Sequence, residues 1–369
     1  MTQTLKTSER LGVVDALRGF ALLAIVLLHN LEHYNLFLVP ENVPAWLQTI
    51  DKYAWDILFF LFHNAEKRGI DFRGRFAWRM CLLFLFAQLH ALFYNGDILL
   101  LYAVVGFALI PVCKLKDKTV FWIALILLLQ PYEWGRAIYA MINPDYVVST
   151  GHFMPYAMRA QEATANGNFF EVLCSNISDG QLYSNIWQVE NGRLFQTAAL
   201  FMFGMLLGRR KYLIKSEESV RFWKKMLKGA VLAFIPLYCL KTFVPDLLTN
   251  PSVQIPYKIA VPSYANFAFM IILVSIFTLL WFKKEKGYGW QSLLIPYGRM
   301  SLTNYISQSI MGVIIYYGFG LAMYKYAGAT ASLLIALLIF TVQLIFSRWW
   351  LARHKQGPLE FLWRKGTWI

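Results

Sequence analysis

The stretch DALRGFALLAIVLLHN, from Asp15 to Asn30, indicates the class of fold to which the chain belongs. With its apolar neighbours it is long enough for a helix that crosses a bilayer, which needs about 20 mainly apolar residues. It nevertheless carries Asp15 and Arg18 near its start and His29 near its end. Ionisable groups are costly inside a bilayer and mark functional positions there. These side chains are therefore the first candidates for function.

The composition extends this pattern to the whole chain of 369 residues. Hydrophobic residues make up 58% and charged residues only 15%, whereas a soluble domain is about half apolar and about a quarter charged. The net charge of +14 is divided among short basic blocks between apolar segments. Because no nucleic-acid-binding motif accompanies these blocks, we expect no nucleic-acid partner. The composition predicts an all-α, polytopic protein that sits in the lipid bilayer.

About ten apolar segments are candidates for membrane-spanning helices. They are residues 13–38, 53–63, 76–94, 97–113, 119–135, 194–209, 226–246, 263–282, 300–324 and 327–348. Short cytoplasmic loops carry an excess of Lys and Arg. The basic blocks all fall on one side if the N-terminus is cytoplasmic, so we expect both termini in the cytoplasm. No linker divides the chain, and residues 1–369 are expected to form one integral membrane domain.

Two segments depart from this regular pattern. Residues 136–192, expected on the extracytoplasmic side, are polar and rich in turn residues but also contain many aromatic side chains. Long loops of this kind are usually functional, and we expect an ordered cap or interfacial helices. The segment 53–63 is too short to cross a bilayer unaided, although the distribution of basic loops requires a crossing there.

The first helix places its polar residues along one stripe. Asp15 and Arg18 are three residues apart and can form an ion pair, and His29 and His33 are four apart and share a face. Fourteen residues separate Asp15 from His29, which corresponds to a rise of about 21 Å. Each group also has a purely structural interpretation. The Asp15–Arg18 pair could anchor the end of the helix, and His29 could be a hydrogen-bonded packing residue.

The second candidate is LHALFYNGDILLLYA, residues 89–103. Its spacing predicts a helical hairpin with a turn at Asn95–Asp97, so that His90 and Asp97 lie at a depth similar to that of His29. A carboxylate beside an imidazole can orient the ring and make it a better general base. Alternatively, Asp97 caps the following helix. A metal ion would need more ligands than these residues and His33 supply, and we predict none.

The third candidate is PYGRMSLTNYISQS, residues 296–309, an unusually polar start of a helix. Arg299, Asn304 and the helix N-terminal amides could hold a phosphate on the cytoplasmic side. The alternative is polar packing between helices. In the amphipathic tail GPLEFLWRKGTW, residues 357–368, Glu360 and Arg364 are four apart and are expected to form a surface pair.

Together these segments resemble the YeiB-like family of bacterial membrane proteins. Its first-helix motif is matched by VVDALRGFALLAI, its histidine and GDIL motif by residues 90–103, its GRM–LTNY motif by residues 298–309, and its tail by GPLEFLWR. The matches cover the chain from end to end and imply the bacterial cytoplasmic membrane. The residues that match as structural or motif positions are Asp15, Gly19, Asn30, His33, Tyr102, Tyr305, Gln308, Glu360 and Arg364.

The first motif is also similar to that of membrane acyltransferases, which O-acetylate sugars and peptidoglycan, and of the lysosomal enzyme that N-acetylates heparan glucosamine. In that superfamily, acyl-CoA enters from the cytoplasm and the acyl group reaches an acceptor on the opposite side. The resemblance implies a catalytic role for His29 and a CoA-side or structural role for Arg18.

One departure from the YeiB-like pattern concerns a missing segment. Between Phe62 and Lys67 the family usually has a long apolar stretch that this chain lacks. The gap coincides with the segment that is too short to cross the bilayer.

The sequence thus favours an enzyme that passes an acyl group, such as acetyl, from acyl-CoA to a hydroxyl or amine of a glycan or small molecule. His29 would be the general base, assisted by His90 and Asp97, while Arg18, Arg299 and Asn304 would favour the anionic donor. The alternatives are a transporter of a small solute or anion that uses the same buried groups, and a non-catalytic lipid-binding membrane protein. A homodimer is compatible with all three of these functions.

Overall fold

A computed structural model of the chain describes residues 12–36, 73–143, 145–283 and 289–367. Every regular element within these ranges is a helix, which confirms the predicted all-α class. In chain order the main helices are α1 Gly12–Leu31, α2 Arg73–Ala91, α3 Leu99–Val112, α4 Asp117–Leu128, α5 Pro131–Ile142, α6 Met154–Asn166, α7 Phe169–Ser175, α8 Gln181–Glu190, α9 Arg193–Arg209, α10 Glu217–Phe243, α11 Pro251–Lys283, α12 Trp290–Arg299, α13 Ser301–Tyr316, α14 Ala329–Arg353 and α15 Pro358–Thr367.

Among the described residues, four helical segments are long and apolar enough to cross a membrane. They are α1, the segment Glu217–Leu247 that contains α10, α11, and α14. The apolar helices Phe76–Ala91, within α2, and α3 are shorter. Several apolar helices are therefore present, as expected of a membrane protein. The expected span at 53–63 lies outside the described residues.

Three predicted span boundaries are wrong. The span 119–135 is divided, because the chain turns at Gln130, whose φ is +53°, and α5 starts at Pro131. Helix α11 starts at Pro251 and continues through Pro256 and Pro262, so it begins before the predicted residue 263. Prolines are tolerated inside membrane helices because neighbouring groups satisfy the freed backbone. Helix α13 ends at Tyr316, earlier than the predicted 324.

Two glycines allow α1 and α12 to approach each other at backbone distance. A Cβ on Gly298 would collide with the Asp15 carbonyl and lie 2.7 Å from the Gly19 nitrogen. A Cβ on Gly19 would likewise collide with the backbone of Leu294. Small residues permit this close packing of membrane helices. The contact fixes α1 in the bundle, where its polar stripe is largely inside: Asp15 is 2% exposed and Asn30 is fully buried.

The segment 136–192 is mostly helical, in agreement with the expected ordered cap. Helices α6, α7 and α8, with one wide turn at Asn176–Gly180, pack together. The Gly318 amide donates to the Thr164 carbonyl at 2.9 Å, and Phe169 packs against Phe319 with ring centroids 5.4 Å apart. These contacts join the cap to the turn that follows α13.

Candidate active site

His29 lies in the last turn of α1 among three tyrosine rings. The centroid distances from its imidazole are 5.6 Å to Tyr34, 5.2 Å to Tyr94 and 6.3 Å to Tyr305. Its Nδ1 atom is buried and has no hydrogen-bond partner in the protein, although the residue as a whole is only partly buried. One ring nitrogen of His29 therefore remains unused by the fold.

The predicted hairpin of α2 and α3 brings His90 and Asp97 together. His90 Nδ1 lies 2.8 Å from Asp97 Oδ1, and the two residues are 1% and 5% exposed. The other carboxylate oxygen accepts from the Leu100 amide at 3.3 Å and so caps α3. Asp97 thus makes both of the contacts that the sequence predicts, one through each carboxylate oxygen.

Tyr305 on α13 connects this pair to a distant part of the chain. Its hydroxyl donates to Asp97 Oδ1 at 3.3 Å and accepts from the Ile98 amide at 3.4 Å. Its ring also lies 5.2 Å from the ring of His90. The first, second and third sequence motifs therefore meet at one point of the bundle.

The two histidines are neighbours, since both of their rings pack against Tyr94 and Tyr305. With Nδ1 of His90 engaged by a carboxylate, its Nε2 is buried and has no hydrogen-bond partner in the protein. Asp97 accepts a hydrogen bond from Nδ1–H, so Nε2 of neutral His90 carries the free electron pair. The cluster therefore contains a ring nitrogen of each histidine that the fold leaves without a hydrogen-bond partner.

The cap closes this end of the bundle over the site. Gln188 on α8 donates to the Asp97 carbonyl at 3.3 Å, and Asn176 donates to the Leu92 carbonyl at 2.9 Å. Gly180 lies so close to Asn95 that a Cβ would meet the Asn95 Cβ at 2.9 Å. Burial in the cap raises the pKa of Tyr183 to about 12, with a further contribution from the charge of Glu32.

A left-handed turn follows α1 and separates His33 from His29. His33, Tyr34 and Asn35 all have positive φ, at 45°, 55° and 70°. Such conformations are costly for residues other than glycine and cluster at functional sites. His33 consequently contacts Ser332 Oγ at 3.0 Å and stacks on Tyr316. The expectation that His33 and His29 share a face is wrong because the helix ends at Leu31.

The turn is held by hydrogen bonds to α13 and to the segment after it. Tyr34 donates to the Gln308 carbonyl at 2.9 Å and its own carbonyl accepts from the Tyr317 hydroxyl at 3.1 Å. Asn30 donates to the Val26 carbonyl at 2.7 Å and to the Tyr34 hydroxyl at 3.4 Å. Both polar atoms of the Gln308 side-chain amide are buried without a partner in the protein. Gln308 thus adds unused hydrogen-bonding capacity close to the turn.

At the opposite end of α1, Arg18 Nη1 lies 3.3 Å from Asp15 Oδ1. This confirms the ion pair that the spacing predicts. The pair lies beside the α1–α12 contact, so it also supports the expected role as an anchor of the helix end.

The N-terminus of α13 is capped by the tail of the same chain. Glu360 accepts from the Leu302 amide at 2.7 Å, from the Thr303 amide at 3.1 Å and from the Thr303 hydroxyl at 2.6 Å. The prediction that Glu360 and Arg364 form a surface pair is therefore wrong. Glu360 binds the start of α13, and Arg364 donates to Gln356. The amides expected to hold a phosphate are already bound to a carboxylate.

Two further residues of this region have specific partners. Arg299 donates to the Lys355 carbonyl at 2.9 Å. Asn304 is fully buried and donates to the Tyr297 carbonyl and to Ser347, both at 2.9 Å. The observed contacts of Asn304 are those of polar packing between helices. Tyr102 packs its ring against Phe201 at 5.3 Å.

Sequence reasoning missed three parts of the site. Tyr34 and Tyr94 line His29, and Gln188 from the cap reaches Asp97. Tyr94 could have been found, since it directly precedes the Asn-Gly-Asp turn. Within the described residues, no group of three or more His, Cys, Asp and Glu side chains is arranged to hold a metal ion.

Comparison with known proteins relates part of the chain to a family and nearly all of it to individual relatives. Residues 207–369 match the family described as a protein of unknown function, DUF418. The chain is 27% identical to YxaH of Bacillus subtilis (strain 168), covering 98% of this chain and 95% of the relative. It is 26% identical to YeiB of Escherichia coli (strain K12), covering 97% and 96%. The family match and the similarity to YeiB and YxaH over nearly the whole chain support the resemblance to the YeiB-like DUF418 family. No solved structure matches the chain.

These relatives are described as uncharacterized proteins, as is a 39.9 kDa protein from the amylase 3' region of Bacillus acidopullulyticus that is 29% identical to the chain. The alignments to YxaH and YeiB extend over 404 and 396 positions. Both exceed the 369 residues of this chain. YxaH and YeiB therefore contain residues for which this chain has no counterpart.

Proposed function

We propose that this protein is a membrane acyltransferase that moves an acyl group, such as acetyl, from cytoplasmic acyl-CoA to a hydroxyl or amine acceptor. The acceptor is a glycan or small molecule on the extracytoplasmic side. The observation that carries the proposal is the buried His90–Asp97 pair beside His29, with a ring nitrogen of each histidine unused by the fold. Histidine and carboxylate groups in a membrane domain mark functional sites.

The proposal includes a topology of about ten crossings in the bacterial cytoplasmic membrane, with both termini in the cytoplasm. The basic residues between the apolar segments support it, as does the position of the cap at the His29 end of α1. In this arrangement the Asp15–Arg18 pair faces the donor side and His29 the acceptor side.

The chemistry follows from the order of these groups. The acceptor's hydroxyl or amine lies against His29, which takes its proton. The acceptor atom forms a bond to the acyl carbonyl carbon, the carbon–sulfur bond of the thioester breaks, and the CoA thiolate leaves and takes up a proton. The negative charge of Asp97, which is hydrogen-bonded to His90, offsets part of the positive charge that forms on His29. Such a base contributes about 10²–10⁴-fold to the rate.

The donor-side residues fit acyl-CoA only in part. Arg18 and Arg299 supply positive charge near the expected cytoplasmic end, as binding of the CoA phosphates requires. The amides at the start of α13 are bound to Glu360, and the side chain of Asn304 is bound within the bundle. We therefore assign the donor phosphates to the two arginines and give Asn304 no direct contact with them.

A thermal-shift screen of purified protein against acetyl-CoA, longer acyl-CoAs and free CoA tests the donor. A ligand present at 100 times its dissociation constant stabilises the folded state by about 2.7 kcal/mol. We expect a higher Tm with acyl-CoA and a smaller shift in Arg18→Gln. An unchanged Tm with every acyl-CoA at millimolar concentration argues against the proposal.

Transport of a small solute or anion is a second candidate, which the depth of the His90–Asp97 pair favours. Buried carboxylate–histidine pairs also serve as proton relays in transporters. Proton-coupled uptake into proteoliposomes that is lost in Asp97→Asn, without any release of CoA, would favour this candidate instead.

A further inference from the structure

A second cluster of catalytic residue types lies in the cap, away from His29. Ser149 Oγ is 2.7 Å from His152 Nε2, and His152 Nδ1 is hydrogen-bonded to the carboxylate of Glu190. Ser149 and His152 belong to the connection between α5 and α6, whereas Glu190 is the last residue of α8. Nucleophile, imidazole and carboxylate are therefore connected in series, as in the catalytic triads of serine hydrolases.

The carboxylate is fixed independently of the imidazole. Glu190 Oε2 accepts from the Gly151 amide at 3.0 Å and Glu190 Oε1 accepts from the His152 amide at 3.1 Å. The turn depends on Gly151, whose φ is +80°, a conformation that glycine adopts without strain. With Nδ1–H donated to Glu190, Nε2 is left to accept the Ser149 hydroxyl proton. This is the tautomer that activates a serine.

A cation is fixed beside the nucleophile. Arg136 Nη2 donates to the Ser149 carbonyl at 3.0 Å, while Arg136 Nη1 lies 3.2 Å from the buried carboxylate of Glu133. The guanidinium is thereby held at the Ser149 backbone, and its positive charge lies near the place where the carbonyl oxygen of a substrate on Ser149 would become an oxyanion. Positive charge and hydrogen-bond donors in this position stabilise tetrahedral intermediates of acyl transfer.

The cluster is open to large substrates and is composed of other residues than the His29 site. The Ser149 residue is exposed and the His152 side chain is 59% exposed. We propose that Ser149, His152 and Glu190 form a serine-nucleophile site that accepts acyl groups from carboxylic esters at the surface of the cap.

The covalent step balances as follows. Ser149 Oγ attacks the ester carbonyl carbon while its proton passes to His152 Nε2. The ester carbon–oxygen bond breaks, and the leaving alcohol takes that proton. Water then attacks the acyl-serine with His152 again as base, which releases the carboxylic acid and restores the serine.

A fluorophosphonate probe tests this site directly, because a serine activated in this way displaces its fluoride and remains covalently labelled. The full-length protein in detergent micelles is incubated with the probe, and the labelled peptide is identified by mass spectrometry. We expect labelling at Ser149, none there in Ser149→Ala, and a rate at least about 100-fold lower in His152→Ala and Glu190→Gln.

Ser178→Ala is the matched control, since Ser178 is also an exposed cap serine but its hydroxyl donates to the Cys174 carbonyl rather than to a histidine. This variant should be labelled at the wild-type rate. The proposal is overturned if chymotrypsin is fully labelled under the same conditions while the wild-type protein is not. Labelling that persists in Ser149→Ala, or that is insensitive to His152→Ala, overturns it as well. Glu190 would then serve only to hold the turn through the Gly151 and His152 amides.

Discussion

At the scale of single residues, Asp97 is the most connected group of the candidate site. Its two oxygens serve His90, Tyr305 and the first turn of α3, and its carbonyl accepts from Gln188. The residue is almost fully buried. A buried carboxylate with this set of partners orients an imidazole while satisfying its own hydrogen-bonding capacity.

Replacing Asp97 by Asn removes the charge but preserves the size of the side chain. We expect the rate of acyl transfer to fall by about 10²–10⁴-fold, because the amide neither holds the His90 tautomer nor stabilises the protonated base. Steady-state kinetics measure the effect. Asp246→Asn, at an exposed position near the end of α10, is the control and should retain the wild-type rate. Equal rates in the two variants would remove Asp97 from the mechanism.

Sequence reasoning at this scale succeeded where partners are close along the chain. The Asp15–Arg18 pair follows from a helical spacing of three, and the His90–Asp97 pair follows from a hairpin. It failed for Tyr305 and Glu360, whose partners lie 208 and 58 residues away. Spacing along a helix carries no information about contacts between distant helices.

At the scale of elements, the contact between α1 and α12 positions the polar stripe of the first helix. Gly19 and Gly298 allow the two backbones to touch, so the third sequence motif packs against the first. The sequence analysis did not predict which helix packs against α1. The left-handed turn after α1 was also beyond sequence reasoning, because His33, Tyr34 and Asn35 are not glycine and the contacts to α13 hold them there.

Gly298→Ala tests the α1–α12 contact, because the added methyl would collide with the Asp15 carbonyl. We expect a loss of about 2 kcal/mol or more in the free energy of unfolding, measured by thermal denaturation in detergent. Gly229→Ala is the matched control on α10, where a Cβ meets nothing within 4 Å. Alanine there should stabilise the helix by up to about 1 kcal/mol. The same stability change in both variants would show that the contact is not tight.

Glu360→Gln tests the cap that α15 provides for α13. The substitution removes a negative charge from a helix N-terminus, where it interacts favourably with the helix dipole and with the amides of Leu302 and Thr303. We expect a loss of about 1 kcal/mol in the free energy of unfolding. Arg364→Gln, which alters an exposed group on the same helix, should have no measurable effect. A melting temperature that is equal in both variants and wild type would refute the cap.

At the scale of the whole molecule, the proposed acyl transfer requires that the Asp15–Arg18 end of the helix bundle faces the cytoplasm. Composition and apolar segments were sufficient to predict the all-α class and the membrane. The individual spans were less predictable, because Pro131 divides one apolar run while Pro256 and Pro262 remain inside a helix. Whether a proline ends a helix depends on neighbouring elements, which the local sequence does not show.

Two native cysteines report the proposed orientation. Cys113 and Cys174 are both free and exposed, and the topology assigns them to the cytoplasmic and extracytoplasmic sides. In spheroplasts, a membrane-impermeant maleimide should label a variant that retains only Cys174 and should spare one that retains only Cys113. After lysis both should react. The reverse pattern in intact spheroplasts would invert the topology.

The central claim is that His29 and its neighbours transfer an acyl group from acyl-CoA. The most direct measurement is release of CoA thiol from acetyl-CoA by the protein in nanodiscs, supplied with glucosamine or a total envelope glycan extract. We predict release that depends on the acceptor, is lost by at least about 100-fold in His29→Ala, and is retained in His33→Ala, whose imidazole contacts Ser332 instead. Acceptor-dependent release at the wild-type rate from folded His29→Ala protein, or no release above a protein-free control with any acceptor, would contradict the claim.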